Sequence, residues 1–288
     1  MLANKTWQQR MNIEFELFKS RDHVAFEQVL NLAPDEKTRS GRLVYTDKRL
    51  RDPRAAPVLL HRILSGNEKP AVRRALADAL PMTTGDWEEA VSHMLKVEAD
   101  PQVRLALVRC MRHSKSPYDL QGLRAGLRDE NPDVQVAALE TAGYVANGKV
   151  LVSELLSATF DDKWERRAAA IRSLGNLREN RAWKTLLRGL SDPKPEVRLQ
   201  ALISLEKIDA GQAAQLPEVR KLASDGSMRV AKQAKALLKH SQQPAGLSVE
   251  PQAPEANDTA TPEPGPGPES LPPPNESPGP KPPNESVL

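Results

Sequence analysis

Pro101-Gln102-Val103-Arg104-Leu105-Ala106-Leu107 decides the fold, because the chain writes this stretch several times over. An earlier version is Pro70-Ala71-Val72-Arg73-Arg74-Ala75-Leu76, and the next is Pro132-Asp133-Val134-Gln135-Val136-Ala137-Ala138. It returns around Arg166-Arg167-Ala168-Ala169-Ala170, as Pro195-Glu196-Val197-Arg198-Leu199-Gln200-Ala201, and around Val230. The anchor positions are 72, 103, 134, 166, 197 and 230, with steps of 31, 31, 32, 31 and 33. A step this constant marks a repeat architecture, which has to be read before any local feature.

Each copy predicts a helix. Apolar or small residues follow the anchor at three or four, five and eight positions, as in Val103, Ala106, Leu107, Val108 and Met111. That is one stripe on a 3.6-residue period. Pro70, Pro101, Pro132 and Pro195 stand two residues before their anchors. There the missing N–H is harmless, because the first turn has no partner for it. Asp100, Asp162, Asp192 and Asp225 precede the helices and suit N-caps.

A second periodic segment precedes each anchor helix: 55–64, 86–97, 119–127, 150–159, 181–190 and 212–223. Turn signals such as Ser65-Gly66-Asn67 and Ser191-Asp192-Pro193 separate the pairs. One helical pair cannot bury its apolar face alone, whereas stacked pairs share a continuous core. The pattern Asp-Pro-x-Val-Arg-x-x-Ala-x-x-x-Leu over about Arg54–His240 resembles HEAT repeats of the short-period bacterial type, also seen in phycobilin lyases. That resemblance implies an all-α fold, a right-handed α-solenoid of about six HEAT-like hairpins. Two copies depart from the pattern. Arg166 replaces the anchor valine of the fourth, with Trp164 in place of proline, and Ala231 replaces the arginine of the sixth. If Arg166 reaches the surface on its long stem, Arg166→Val should be neutral or stabilising; strong destabilisation would instead make it a paired structural residue.

Three segments result: 1–50 as an N-terminal helical cap, 51–240 as the solenoid and 241–288 as a tail. Trp7–Lys19 and Asp22–Leu32 read as amphipathic helices carrying Phe15, Phe18 and Phe26. The tail holds 14 of the 25 prolines and seven acids against one base, Lys281. Such a segment buries too little apolar surface to offset its ordering entropy and is expected to be disordered. The net charge of +3 therefore divides into a tail of −6 and a body of +9.

Several function classes are disfavoured. A single cysteine, Cys110, excludes a disulfide framework and any multi-cysteine metal site. The sequence has no apolar run long enough for a membrane span. The expectation is a cytoplasmic protein with no membrane association. No His-Glu pair of the kind a HEAT-like di-iron hydroxylase carries is present, and no phosphate-cradling loop or nucleophile elbow. His61 and His93, 32 apart, would sit at similar places in successive repeats, but two imidazoles lack a third ligand. No cofactor and no metal are expected. Trp87 beside Asp86, and Trp164 beside Glu165, resemble in composition only a HEAT-like alkylpurine DNA glycosylase.

The arginine after each anchor (Arg73, Arg104, Arg167, Arg198) is expected to pair with turn acids of its own or the next repeat, as a ladder. Other bases exceed what stacking needs. Arg109, Arg112, Arg172, Lys232 and Lys239 fall at or near positions two, six and nine after the anchor, the side expected to be concave. They are the candidate binding residues for an acidic protein partner. Interleaved Asp78, Glu140 and Glu206 break any phosphate track and argue against nucleic acid. The expected function is a non-catalytic scaffold or adaptor. The alternatives are a phycobilin-lyase-like accessory protein and a nucleic-acid-binding or glycosylase-like HEAT protein.

Overall fold

The computed structural model describes residues 5–34, 36–37, 43–45, 48–83, 86–114, 116 and 119–240. The acidic tail, 241–288, lies outside the described residues. The N-terminal stretch forms α1 (Trp7–Arg21) and α2 (His23–Leu30), then a minimal antiparallel pairing of β1 (Glu36–Lys37) with β2 (Leu43–Val44). A capping box between Thr6 and Gln9 starts α1, and the Asp22 carboxylate caps α2 at the Ala25 N–H.

Six helix pairs follow. They are α3 (Ala55–Leu64) with α4 (Pro70–Ala79), α5 (Glu88–Val97) with α6 (Pro101–Cys110), and α7 (Asp119–Leu127) with α8 (Pro132–Ala142). Then come α9 (Val152–Ala158) with α10 (Trp164–Asn176), α11 (Trp183–Gly189) with α12 (Pro195–Gln215), and α13 (Pro217–Leu222) with α14 (Met228–His240). The backbone of α12 leaves helical geometry at Asp209, so the residues after this kink open the sixth pair. Each anchor helix from α4 to α14 packs on the next, which makes the molecule an all-α solenoid.

Periodicity explains the core. Val103, Val134, Val197 and Val230 are fully buried, as are Leu107, Ala138, Ala170, Ala201 and Ala234 four residues after each anchor. Seven residues after the anchor stands a buried small residue in five successive copies: Ala79, Cys110, Thr141, Ser173 and Ser204. The Ser173 hydroxyl donates to the Leu139 carbonyl of the preceding anchor helix at 2.6 Å, and Ser204 to that of Ile171 at 2.9 Å. Glycine completes the approach: a Cβ on Gly143 or Gly175 would come within 2.7 Å of the Cα of Ser173 or Ser204. Small side chains therefore set how near successive anchor helices lie.

The arginine ladder forms between neighbouring repeats. Arg73 pairs with Glu98, Arg104 with Asp129, Arg167 with Asp192 and Arg198 with Asp225, each at 2.8 Å. Each guanidinium also donates to carbonyls of its own turn, as Arg198 does to Asp192 O at 2.8 Å. Each acid in addition accepts the N–H two residues ahead: Asp100 for Glu98, Asn131 for Asp129, Lys194 for Asp192 and Ser227 for Asp225. One carboxylate thus closes its turn and ties on the preceding repeat. This changes the expected role of the turn acids. Asp100 is an N-cap, but Asp192 and Asp225 are ladder acids, and α10 is preceded by Lys163 with no side-chain cap.

Of the two readings of Arg166, the structure has the paired one and not the surface one. Its guanidinium is mostly buried, ion-paired with Asp161 at 2.9 Å and bonded to the Gln135 amide oxygen. Gln135 occupies the ladder position of the third copy, where the others have arginine. Its amide N–H still donates to the Asp129 carbonyl of its own turn, but it supplies no charge for Asp161. Arg166 supplies it. The two departures from the repeat pattern are one exchange, in which the fourth anchor gives up valine to complete the third rung.

Arg166→Val should therefore lower stability by about 1–3 kcal/mol, because it strands a partly buried carboxylate. Gln135→Arg combined with Arg166→Val rebuilds the consensus rung and should recover most of that loss in urea unfolding. Equal stability of Arg166→Val and the parent would remove the exchange.

The ladder also sets an acid limit. Burial pushes Asp192 up, but hydrogen bonds from Arg167 and from the Lys194 N–H outweigh it and leave the carboxyl below its usual value. Arg198 holds Asp225 below its usual value in the same way, against a smaller effect of burial. In this range the unfolded chain binds the extra protons, so stability rises with pH. The contribution is complete above the unfolded aspartate value of about 3.9 and is lost as pH falls through the lower folded values. The thermal midpoint should fall below about pH 4, less steeply in Asp225→Asn, and the difference between parent and Asp225→Asn should be level from neutrality to about pH 5.

Candidate functional site

The solenoid presents three surfaces: the row of first helices, the edge of the turns and the face of the anchor helices. The row of first helices is crossed by α1, which packs on both α3 and α5. Phe15 stacks on His61 at 4.6 Å and Trp7 on His93 at 5.3 Å, while Arg10 pairs with Glu89. Both histidines thus lie against aromatic rings of α1. No cluster of three or more His, Cys, Asp or Glu among the described residues is arranged to hold a metal. A cavity of about 180 Å³ remains beside α1, lined by Trp7, Arg10, Glu14, Asp86 and Glu89. Burial, and then the Asp86 carboxylate, push Glu14 above its usual value against the pull of Arg10. Trp87 is in the core and offers no face to a base, and Trp164 is half-buried against the core. Cys110 is buried, its Sγ 3.0 Å from the Leu107 carbonyl.

The edge formed by the turns is taken up by the ladder. Val97, Phe160 and Met228 are exposed along it, and the Arg188 guanidinium lies 3.4 Å above the Phe160 ring. Arg188 is itself held there, donating to the Thr159 carbonyl at 3.1 Å.

The third surface is the face of the anchor helices. Six residues after successive anchors stand Asp78, Arg109, Glu140 and Arg172, alternating in sign from one repeat to the next. Asp78, Arg109 and Glu140 line a groove of about 500 Å³ across α4, α6 and α8, together with Met82, Arg112 and Thr141. Arg172 reaches back to Glu140 at 2.8 Å and lies 3.2 Å from the Gln200 amide oxygen. Arg112, in the 3-10 turn after α6, lays its guanidinium 3.5 Å over the ring of Tyr144, which is 44% exposed.

Of the five candidate bases, the groove brings together only Arg109 and Arg112, both exposed and neither ion-paired with a described residue. Arg172 is engaged by Glu140, and Lys232 and Lys239 are exposed on α14, outside the groove. The face is therefore of mixed charge. The alternating column was visible at a spacing of 31 or 32 residues; selecting bases alone hid it. Met82 and Tyr144 were missed because the repeat pattern does not extend to the ends of the anchor helices.

The class that the fold defines is an all-α repeat protein, and over residues 148–239 its repeats are HEAT repeats. Residues 148–239 match the family model for HEAT repeats. The same helix pairs and rungs continue on the N-terminal side of that segment, back to α3 and α4. The crystal structure of an engineered protein from the Northeast Structural Genomics Consortium is similar at 18% identity and a TM-score of 0.43, over 81% of this chain and 68% of that one. No curated protein matches. No helix among the described residues is long and apolar enough to cross a membrane.

Glu14 provides a check on the packing of α1. Its raised value means that the folded protein favours the protonated form, so its contribution is fully favourable below the unfolded glutamate value of about 4.3 and is lost as pH rises through the folded value. Glu14→Gln should raise the thermal midpoint at pH 7 and leave it unchanged below about pH 4. A lower midpoint at pH 7 would mean that Arg10 governs this carboxylate.

Proposed function

We propose that this protein is a non-catalytic scaffold that holds a protein partner on the face of its anchor helices, in the cytoplasm. The observation that carries the reading is the groove across α4, α6 and α8. Here two exposed arginines without an acidic partner among the described residues stand beside Met82 and Tyr144, 37% and 44% exposed. Interfaces draw their energy from such combinations of arginine, aromatic and methionine side chains. Side chains able to do chemistry are used structurally elsewhere: His61 and His93 stack under α1, and the Cys110 thiol is buried beside a backbone carbonyl. The carboxylates of Asp78 and Glu140 flank Arg109 and would repel a phosphate backbone, which favours protein over nucleic acid.

A photo-crosslinking amino acid at Met82 tests the reading against the same group at Glu130, which is exposed on the turn edge. The Met82 position should capture a discrete protein partner in cells, and Arg109→Glu with Arg112→Glu should abolish that product while the melting midpoint holds. Capture from Glu130 alone, or a product indifferent to the double change, would move the interface off this face.

A further inference from the structure

Resting on that reading, we infer that the groove takes an acidic amphipathic helix, with two carboxylates one turn apart on Arg109 and Arg112 and an aliphatic side chain against Met82. Charge complementarity carries the choice of occupant. Arg109 and Arg112 are the exposed cations lining the groove, and no described carboxylate pairs with either. Arg172, next along the column, is already matched by Glu140. A partner that fits this face brings acids to one place and does not extend them along the stack.

The geometry fits two carboxylates closely spaced. Arg109 and Arg112 are three residues apart across the end of α6 and the turn that continues it, which sets their Cβ atoms about 5–6 Å apart. Acids at i and i+3 or i+4 of a helix have that same spacing. The Arg112 guanidinium carbon stands 3.5 Å from the centre of the Tyr144 ring, a cation–π contact that restrains the group while a guanidinium can still fork onto a carboxylate. Arg109 has no ring beneath it; the Asp78 and Glu140 side chains line the groove on either side of it. Those two acids set the selectivity, since they admit a single carboxylate at Arg109 but oppose a continuous polyanion. Met82 gives the apolar contact an adaptable surface. A volume of about 500 Å³ is within the usual range for a site that accepts several side chains.

The test uses the full chain and a synthetic alanine-rich helical peptide of about 15 residues, long enough to hold a helix. The peptide carries Glu at i and i+4 with Leu beside them. A second peptide has Gln in place of both Glu, and a third probe is a single-stranded oligothymidylate. Binding is followed by NMR of the Met82 methyl group and the Arg109 and Arg112 Nε–H groups. The Glu peptide should shift all three signals, the Gln peptide should not, and added salt should weaken the effect. Arg112→Gln should weaken binding about tenfold. Tyr144→Leu should weaken it as well while leaving Arg112 in place, which a purely charge-driven contact would not show. An Arg172→Gln control should bind as the parent does. Shifts confined to other residues, equal binding of the Gln peptide, or displacement by oligothymidylate would overturn the inference. If the Met82 crosslink persists while the Glu peptide fails, the scaffold reading stands and the acidic helix falls; loss of both removes both.

Discussion

A buried guanidinium has to be met by a carboxylate in fixed geometry, and the architecture of this solenoid depends on where that carboxylate stands. Arg104 and Asp129 have side chains only 7% exposed each, so neither can turn to water if the other is removed. Stranding one partner of such a pair typically costs about 3–5 kcal/mol. The acid belongs to the turn of the following repeat and also closes that turn through its own N–H contact two residues on. Turn conformation and repeat spacing are thereby fixed by the same atoms. The fourth repeat shows how firmly: its anchor surrenders a core valine to Arg166 so that Asp161 is paired where Gln135 cannot pair it.

Much of this was legible in the sequence, because stacking and helix formation are both periodic. The six pairs, the buried stripe and the arginine column follow from a spacing and a residue type. What the spacing could not show is which atoms an acid touches. Asp192 and Asp225 read as N-caps because an acid before a helix suits one, whereas the arginine one repeat back decides their role. Arg166 could be read as a surface or a paired arginine because a single copy was compared with the consensus; its meaning lies in Gln135, on the neighbouring anchor helix. The column of Ala79, Cys110, Thr141, Ser173 and Ser204 has the right period but changes residue type at almost every step, so only the shared smallness identifies it. The lone cysteine belongs to this column as one more small buried group.

The course of α1 was less legible still. Its aromatics predicted a cap, but the helix crosses the first helices of two repeats, placing Trp7 and Phe15 on His93 and His61. Matching positions 32 residues apart would equally suit a metal site or a stacking surface. Only the partner helix, distant in sequence, decides between them, and no local pattern in α3 or α5 encodes it.

These constraints also bear on which outward positions are free to vary. A rung satisfies its turn edge, and α1 occupies the near part of the first-helix row. The anchor-helix face has no equivalent duty, because small residues seven after the anchor already bring the helices together. Position six, one residue earlier, is released from packing and can carry charge. Over four repeats it alternates Asp78, Arg109, Glu140 and Arg172, and the last two form an ion pair. With both partners 38% exposed, that pair contributes little stability, at most about 1 kcal/mol. Arg109 and Arg112, exposed in the groove, take no part in that pair. A repeat whose core is set by small residues can thus vary its outward charge without altering its stack.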